Sequence, residues 1–392
     1  MIKEQLFIEA KKTFAEKYGV EHTIASFAPG RVEVIGNHTD YNEGFVLSAA
    51  INYGTFFLLT PNGLDHSRVF CGRTKEDATF KMSNFDLGLD GGGWAKYIYG
   101  SIVELLKGSD VVLPEIDAMI LADIPLGAGL SSSAALEVST AFAVAELGKI
   151  SKTNLEFAKI AQAAEHKYAG VMCGLLDQLS SIYGKEDNLI MTDFRTIEVE
   201  NLPLGDDASF VICNTKVKHA LVDGEYNERR ESCEKAAEFF KAKLGDRITH
   251  LRDVTSAELA QYASEMDSIV AKRAAHVIGE CERVLACKKY LEEGKIEEFG
   301  KLMYESHDSS INNFENSCSE LDFVVEASKS IPGVMGARLS GGGFGGSVVL
   351  LVHPRNAETI GTALANAFKK DIGSDCEIYY VKAFSGATVL NN

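Results

Sequence analysis

The chain has 392 residues, of which 46% are hydrophobic and 24% charged: enough for two packed domains, and a well-cored globular composition rather than a disordered one. Its 39 Lys and Arg against 56 Asp and Glu give a formal net charge of -17, and no basic run offsets it. Such a balance argues against nucleic acid and anionic membranes as partners, while still allowing a small anion held by backbone N–H groups and a metal ion.

Residues 1–20 read as an amphipathic helix whose charges interrupt any apolar run, so MIKEQLFIEAKK is not a signal peptide. Alternating apolar segments near 24–36 and 46–60 predict strands joined by the polar loop NHTDYNEG, and IDAMILA at 116–122 predicts another. Helical patterns follow at about 132–147, 153–168, 226–243, 256–288 and 293–316, with further strands at 208–213 and 347–352. Strands and helices without strict βαβ alternation predict an α+β fold. The composition shift at RTIEVENLPLGDD, 195–207, is the expected boundary between domains at 1–200 and 201–392. The 8 cysteines contain no C-x-x-C pair, and no apolar stretch nears the ~20 residues needed to span a bilayer. Reduced thiols and a cytoplasmic location are expected, in a chain expected to be monomeric.

The most informative stretch is ADIPLGAGLSSSAALEV, 122–138. A strand leads into Pro125 and then Gly127, Ala128, Gly129 and Leu130, before Ser131, Ser132 and Ser133 open an Ala-rich helix. Glycines let backbone approach a ligand closely, and the unpaired N–H groups of the helix start favour a phosphate. The serines can cap the helix or point outward. The loop is not a Walker A motif, since no G-x-x-x-x-G-K-[ST] is present, so charge neutralisation falls to Mg²⁺ and to residues elsewhere. An ordinary capped helix after a glycine turn is the alternative. A second run, LSGGGFGGSVVLL at 339–351, matches G-x-G-x-x-G at Gly341, Gly343 and Gly346, but a strand follows it rather than a helix. It reads as backbone packed close to a ligand or to the first loop, or as a structural turn.

Three segments together resemble the galactokinase branch of the GHMP small-molecule kinases: APGRVEVIGNHTDYNEGFVL (28–47), PLGAGLSSSAALE (125–137) and GARLSGGGFGGS (336–347). Three more lie between them in the family's order: AEHKYAGVMCGLLDQL (164–179), NTKVKHALVDGEYNERRESCE (214–234) and MYESHDSSINN (303–313). The resemblance spans nearly the whole chain. It implies an N-terminal domain like the second domain of ribosomal protein S5, a ferredoxin-like C-terminal domain and an active site between them. The implied reaction moves the γ-phosphoryl group of ATP to the anomeric hydroxyl of a hexose.

By the same resemblance, Asp177 is the expected catalytic carboxylate, accepting the proton of a sugar hydroxyl that is otherwise a poor nucleophile. Arg31 is the expected guanidinium beside it, stabilising charge in the transition state. Gly127, Ala128, Gly129, Leu130, Ser131, Ser132 and Ser133 are expected to hold ATP. Ser133 and Glu165 match the pair that positions Mg²⁺, a hydroxyl and one carboxylate suiting an ion that keeps several waters. Asn37, His38, Thr39, Asp40, Gly174 and Tyr226 match sugar-contacting positions, and Trp94, the only tryptophan, is a candidate for the adenine or for the core.

Two departures stand in the sugar loop. Galactokinases usually carry glutamate where this chain has Asn37, and that residue helps bind the hydroxyl at carbon six; Glu33 in turn replaces the usual asparagine. Ser48 stands where the family has proline. Galactose is the first expectation for the substrate, with a related hexose or hexose derivative as the alternative. A kinase for mevalonate or homoserine is disfavoured by the HTDY and EYNERR segments, and a non-catalytic sugar sensor by the retention of Arg31, Ser133, Glu165 and Asp177.

Overall fold

A computed structural model describes residues 2–82, 88–218 and 222–390. Helix α1 (Ile2–Tyr18) leads into β1 (Ile24–Ile35) and the long β2 (Phe45–Pro61). The hairpin β3 (Ser67–Cys71) and β4 (Glu76–Phe80) is followed by α2 (Ala95–Leu106) and β5 (Ile116–Ala122). Then come α3 (Ser132–Gly148), α4 (Asn154–Ala164), α5 (Leu176–Tyr183), β6 (Asn188–Asp193) and β7 (Glu198–Pro203). The remainder runs β8 (Ser209–Lys218), α6 (Val222–Leu244), α7 (Ser256–Tyr262), α8 (Ser268–Glu292), α9 (Ile296–Ser309) and α10 (Ser319–Ser328). It ends with β9 (Val334–Ser340), β10 (Gly345–Val352), α11 (Ala357–Asp371), β11 (Glu377–Val381) and β12 (Thr388–Leu390).

Two sheets organise these elements. The first has strand order β12-β1-β2-β5-β3-β4, with β6 pairing the start of β2 and β7 pairing β6. Only the β3–β5 pair is parallel among its pairings. Helix α1 covers one face through Phe14, Phe27, Phe56, Leu58 and Met119. Helices α2 to α5 lie on the other, where the alanines of α3 are buried on nearly every side. The second sheet is antiparallel, in order β11-β8-β10-β9. Its strands are apolar on both faces. Val211, Cys213, Val348 and Leu350 point toward α10 and α11, while Phe210, Ile212, Val349 and Leu351 join the main core with Phe299 of α9. This explains why SVVLLV is a continuous apolar run rather than an alternating one. The last strand, β12, returns to the first sheet and pairs Ala25, Ser26 and Phe27 of β1.

Several predicted helices are shorter than their periodicity suggests. The 153–168 segment ends as α4 at Ala164 and continues as a π turn over Glu165–Ala169. The 256–288 segment is two helices, because Asp267 caps a new N-terminus by accepting from the amides of Ile269 and Val270. The 293–316 segment likewise passes from α9 into a π turn at Ser310–Phe314. Hydrophobic period carries across such breaks, so periodicity alone reads them as continuous. Both π turns face the site. Within the 214–234 segment, residues 219–221 lie outside the described residues.

Candidate active site

The glycine-serine loop lies between β5 and α3. Gly127 and Gly129 adopt φ of 74° and 70°, and Ser131 is left-handed at φ 56°. That geometry takes Ser131 out of the capping role: its hydroxyl makes no cap bond and donates instead to Asp177 Oδ2 at 2.5 Å. Strand β1 passes directly beneath. The amide of Arg31 donates to the carbonyl of Leu130 at 3.2 Å, and a Cβ at Gly30 would collide with that same carbonyl. The loop and the strand are therefore locked together by the PGR sequence.

Asp177 sits in the first turn of α5, where the helix start favours a negative side chain. Arg31 grips it with two nitrogens on Oδ1, Nε at 2.8 Å and Nη2 at 2.6 Å, while its Nη1 donates to the carbonyl of Gly129 at 2.6 Å. The arginine side chain is 9% exposed and the aspartate 25%. A charge-assisted, largely desolvated pair of this kind is held rigidly. Residues 31, 131 and 177 thus meet at one point although they come from three elements.

Two cavities lie here, one at this junction and one farther along the loop. One, of about 220 Å³, is lined by Arg31, Glu33, Asn37, His38, Asp40, Cys173, Gly174, Asp177, Tyr226, Gly341 and Gly342. The other, of about 310 Å³, is lined by Ser132 and Ser133 together with Thr55, Arg73, Trp94, Tyr97, Leu126 and Leu136. Trp94 is tied down by an indole N–H donated to Glu76 at 2.9 Å. The sequence left Trp94 between the adenine and the core, and it lines this cavity; Arg73, Thr55 and Tyr97, which come from segments without a local motif, were missed.

The smaller cavity has a densely bonded wall. His38 adopts φ 60° in the turn after β1; its Nε2 donates to the carbonyl of Gly342 at 3.2 Å and its Nδ1 accepts from the Tyr41 hydroxyl at 2.8 Å. A carbonyl can only accept, so the ring is the neutral Nε2–H tautomer. Burial lowers its pKa to about 4. Its ring packs against Tyr226 and Phe314, with centroids 5.2 and 4.5 Å away. Asp40 is pushed up to about 6, first by burial and then by the neighbouring Glu33 carboxylate. Gly174 packs so closely on the Asp40 carboxylate that a Cβ would strike it. Thr39 stands apart: its hydroxyl is spent on the carbonyls of Gly36 at 2.7 Å and Phe45 at 2.6 Å, inside the loop.

Residues distant in sequence hold this wall in place, and no motif signalled them. Glu280 of α8, fully buried, accepts from the amides of Gly36 and Asn37 at 3.0 Å each and is paired with Arg283 at 2.6 Å. His276 donates to the carbonyl of Asn37 at 3.2 Å, and burial lowers its pKa to about 3. Asn316 donates to Asn37 Oδ1 at 2.9 Å. The second glycine run supplies the carbonyls of Gly341 and Gly342 to this wall, and Ser347 donates to Ala128 of the first loop at 2.8 Å. Of the two readings left open for that run, backbone packed near the first loop is the one observed.

Behind Ser133 lies an acidic pocket. Glu165, on the π turn, is 5% exposed and accepts from Gln178 at 3.0 Å, from the Cys173 thiol at 3.1 Å and from Ser133. Burial raises its pKa. Glu137 of α3 is pushed up to about 10, by burial first and by the Glu165 charge second, and its Oε1 has no hydrogen-bond partner. Glu165, the Ser133 hydroxyl that it accepts from and the unpartnered Oε1 of Glu137, which shares Gln178 with Glu165, are oxygen donors of the kind that suits a hard divalent cation. Among the described residues there is no group of three or more His, Cys, Asp or Glu arranged around a metal position.

Comparison with known proteins agrees along the whole chain. Residues 12–61 match the galactokinase galactose-binding signature, 96–185 the GHMP kinases N terminal domain and 287–370 the GHMP kinases C terminal. The galactokinase of Pasteurella multocida (strain Pm70) is 37% identical over 397 residues, covering 97% of this chain and 98% of that one. That of Mannheimia succiniciproducens is 37% identical over 384 residues, covering 96% and 97%. The crystal structure of Lactococcus lactis galactokinase complexed with galactose superposes with a TM-score of 0.89 at 30% identity, covering 98% of this chain and 100% of that one. The mevalonate kinase of Methanococcus jannaschii, at 16% identity and a TM-score of 0.64, shares the fold. The chain has the two-domain GHMP kinase fold and belongs to the galactokinase family of sugar kinases.

Proposed function

We propose that this chain transfers the γ-phosphoryl group of ATP to the anomeric hydroxyl of galactose. The observation that carries the reading is the junction at Asp177. One carboxylate oxygen is held by Arg31 from the sugar-sized cavity, and the other by Ser131 of the phosphate loop. A sugar in the smaller cavity and a nucleotide along the loop would meet there. Asp177 accepts the proton of the sugar hydroxyl as the new O–P bond forms. The bond from the γ-phosphorus to the bridging oxygen breaks, and ADP departs with that oxygen's electron pair. Arg31 keeps the carboxylate aimed and offsets negative charge on the phosphoryl oxygens.

His38, Asp40, Asn37, Tyr226 and the backbone at Gly174 line the sugar side, with Asp40 offering acceptors and Tyr226 and His38 a ring surface. The 127–133 loop receives the phosphates through its N–H groups. Trp94, Tyr97, Arg73 and Leu126 line the cavity suited to the base. Ser133 and Glu165, with Glu137 behind them, would hold Mg²⁺, which when bound neutralises phosphate charge. Residues 1–200 and 201–392 are read as two domains bordering this cleft; the two sheets part between β7, which ends at Pro203, and β8, which begins at Ser209, and β12 returns to the first sheet. No helix among the described residues is long and apolar enough to cross a membrane, and all eight cysteines are free, which supports a cytoplasmic location.

The test is ADP release, coupled to a reporter, across galactose, its epimers, galactosamine and galacturonate, with and without Mg²⁺. Turnover restricted to galactose and dependent on Mg²⁺ is expected. Activity with another hexose in its place would reassign the substrate, and silence with every sugar would end the kinase reading.

A further inference from the structure

The feature that the mechanism above does not use is Glu33. It lies on β1 two residues beyond Arg31, lines the sugar-sized cavity and has a side chain only 8% exposed. Its Oε1 accepts from Asn37 Nδ2 at 2.9 Å and from Nη1 of the fully buried Arg338 at 3.2 Å. Its Oε2 accepts no hydrogen bond from any described residue, yet it is not among the atoms sealed from solvent without a partner. One oxygen is therefore spent on the protein and the other opens on the cleft. A carboxylate oxygen buried this far and left unpaired is costly unless something fills it, and a cavity lined by three carboxylates and closed by ring faces suits a polyhydroxyl ligand.

Asn37 cannot do the same work. Its amide nitrogen is divided between Glu33 at 2.9 Å and the carbonyl of Gly341 at 2.7 Å, and its oxygen is taken by Asn316 at 2.9 Å. With the backbone held by Glu280 and His276 and the residue 1% exposed, Asn37 is committed to the protein through every polar group it has. The usual family pattern is asparagine at 33 and glutamate at 37; here the two types have changed places, and the amide of one now donates to the carboxylate of the other. One negative charge and one amide remain in the same few ångströms, with Arg338 as the cation behind them.

We propose that Glu33 is a specificity-determining residue, its Oε2 accepting a hydrogen bond from a sugar hydroxyl remote from the reacting carbon, and that Glu33 and Asn37 function as an exchanged pair. This rests on the reading that galactose is the substrate. The reacting carbon lies at Arg31 and Asp177, so the hydroxyl that Glu33 accepts belongs to carbon three, four or six. A site built to bind a given hydroxyl discriminates against the sugar lacking it.

The test compares kcat/KM of the full chain for galactose and for its 3-deoxy, 4-deoxy and 6-deoxy analogues. In the unaltered protein one analogue is expected to fall far below galactose. In Glu33→Gln, galactose is expected to lose roughly 10- to 100-fold in kcat/KM, through KM, while that same analogue loses little, so their ratio collapses. Equal losses for galactose and all three analogues would mean that Glu33 only props the wall, and would overturn the proposal. Asn37→Glu alone sets two carboxylates side by side and is expected to raise KM for galactose. The double variant Glu33→Asn with Asn37→Glu is expected to recover most of it, and a double variant no better than the worse single would overturn the exchange. Thermal unfolding of each variant separates a folding defect from a binding one. If the unaltered protein does not phosphorylate galactose, the proposed function fails; if it does and Glu33→Gln keeps the ratio, this inference alone fails.

Discussion

The two ends of the sugar-sized cavity are built on different principles. At the reacting end, Arg31, Ser131 and Asp177 converge from β1, the phosphate loop and α5, all within the first half of the chain, and few groups support them. At the far end, Asn37 is bonded to Glu33, Gly341, Asn316, His276 and Glu280, residues that are otherwise scattered over more than three hundred positions. The first end needs charge placed where a bond is made. The second needs a rigid set of donors and acceptors, and rigidity comes from long-range cross-linking. Chemistry here is local and recognition is global.

Substitutions at the two ends are therefore expected to break different kinetic parameters. The largest effect is expected for Asp177→Asn, which keeps the shape but removes the charge and turns one of the two accepting oxygens into a donor, so that the proton acceptor is lost; kcat should fall by about 10²–10⁴ with KM for galactose little changed. Steady-state kinetics with an unshifted melting temperature would support this, and an unaltered kcat would refute it. Arg31→Met comes next, with a loss of roughly 10²–10³ in kcat. It should also lower ATP affinity, because the Gly129 carbonyl loses its donor.

At the other end, Glu280→Ala leaves Arg283 unpaired beside two orphaned backbone amides. A destabilisation of about 3 kcal/mol is expected, because removing one partner of a buried pair strands the other. Denaturant unfolding measures it, and the surviving folded protein should show a raised KM and a nearly normal kcat. The smallest effects are those of pH. Asp40 at about 6 means that its acceptor form is lost as the pH falls below that value, so kcat/KM for galactose should decline on the acid side, and Asp40→Asn should flatten that limb. His38 and His276, at about 4 and 3, are depressed from 6.5. Groups depressed in the fold add stability above their unfolded value, and that stability drains away as the pH drops from about 6.5 toward 4. Unfolding followed over that window should show the loss, and replacing His276 by Gln should reduce it.

The same contrast decides what could be read from the sequence. At the reacting end the glycine-serine loop could be read from its own backbone demands, whereas Arg31 and Asp177 were pointed out by the family resemblance of their segments and their convergence on the loop appears only in the structure. The wall was legible only on its own side. Glu280 lies in GECERVLACKKYLEE, where it is indistinguishable from the solvated charges around it, and only the packing of α8 across β1 shows that it is buried. Arg338, beside a run of glycines, gives no hint that its guanidinium sits behind Glu33. The π turns at 165–169 and 310–314 were invisible because each is a single turn at the end of a helix, too short to register against the period of the helix before it. The swapped identities at 33 and 37 were plain in the sequence, but their contact was not.

The pairing of β12 with β1 carries a consequence for how the protein is made. Synthesis delivers residues 388–390 after every other strand, so while the ribosome is still at work the rim of β1 at Ala25–Phe27 stays without its neighbour. An open rim of that kind is a template for another chain. Nascent copies held close together on one message are thereby exposed to mispairing along that rim until β12 has paired with it.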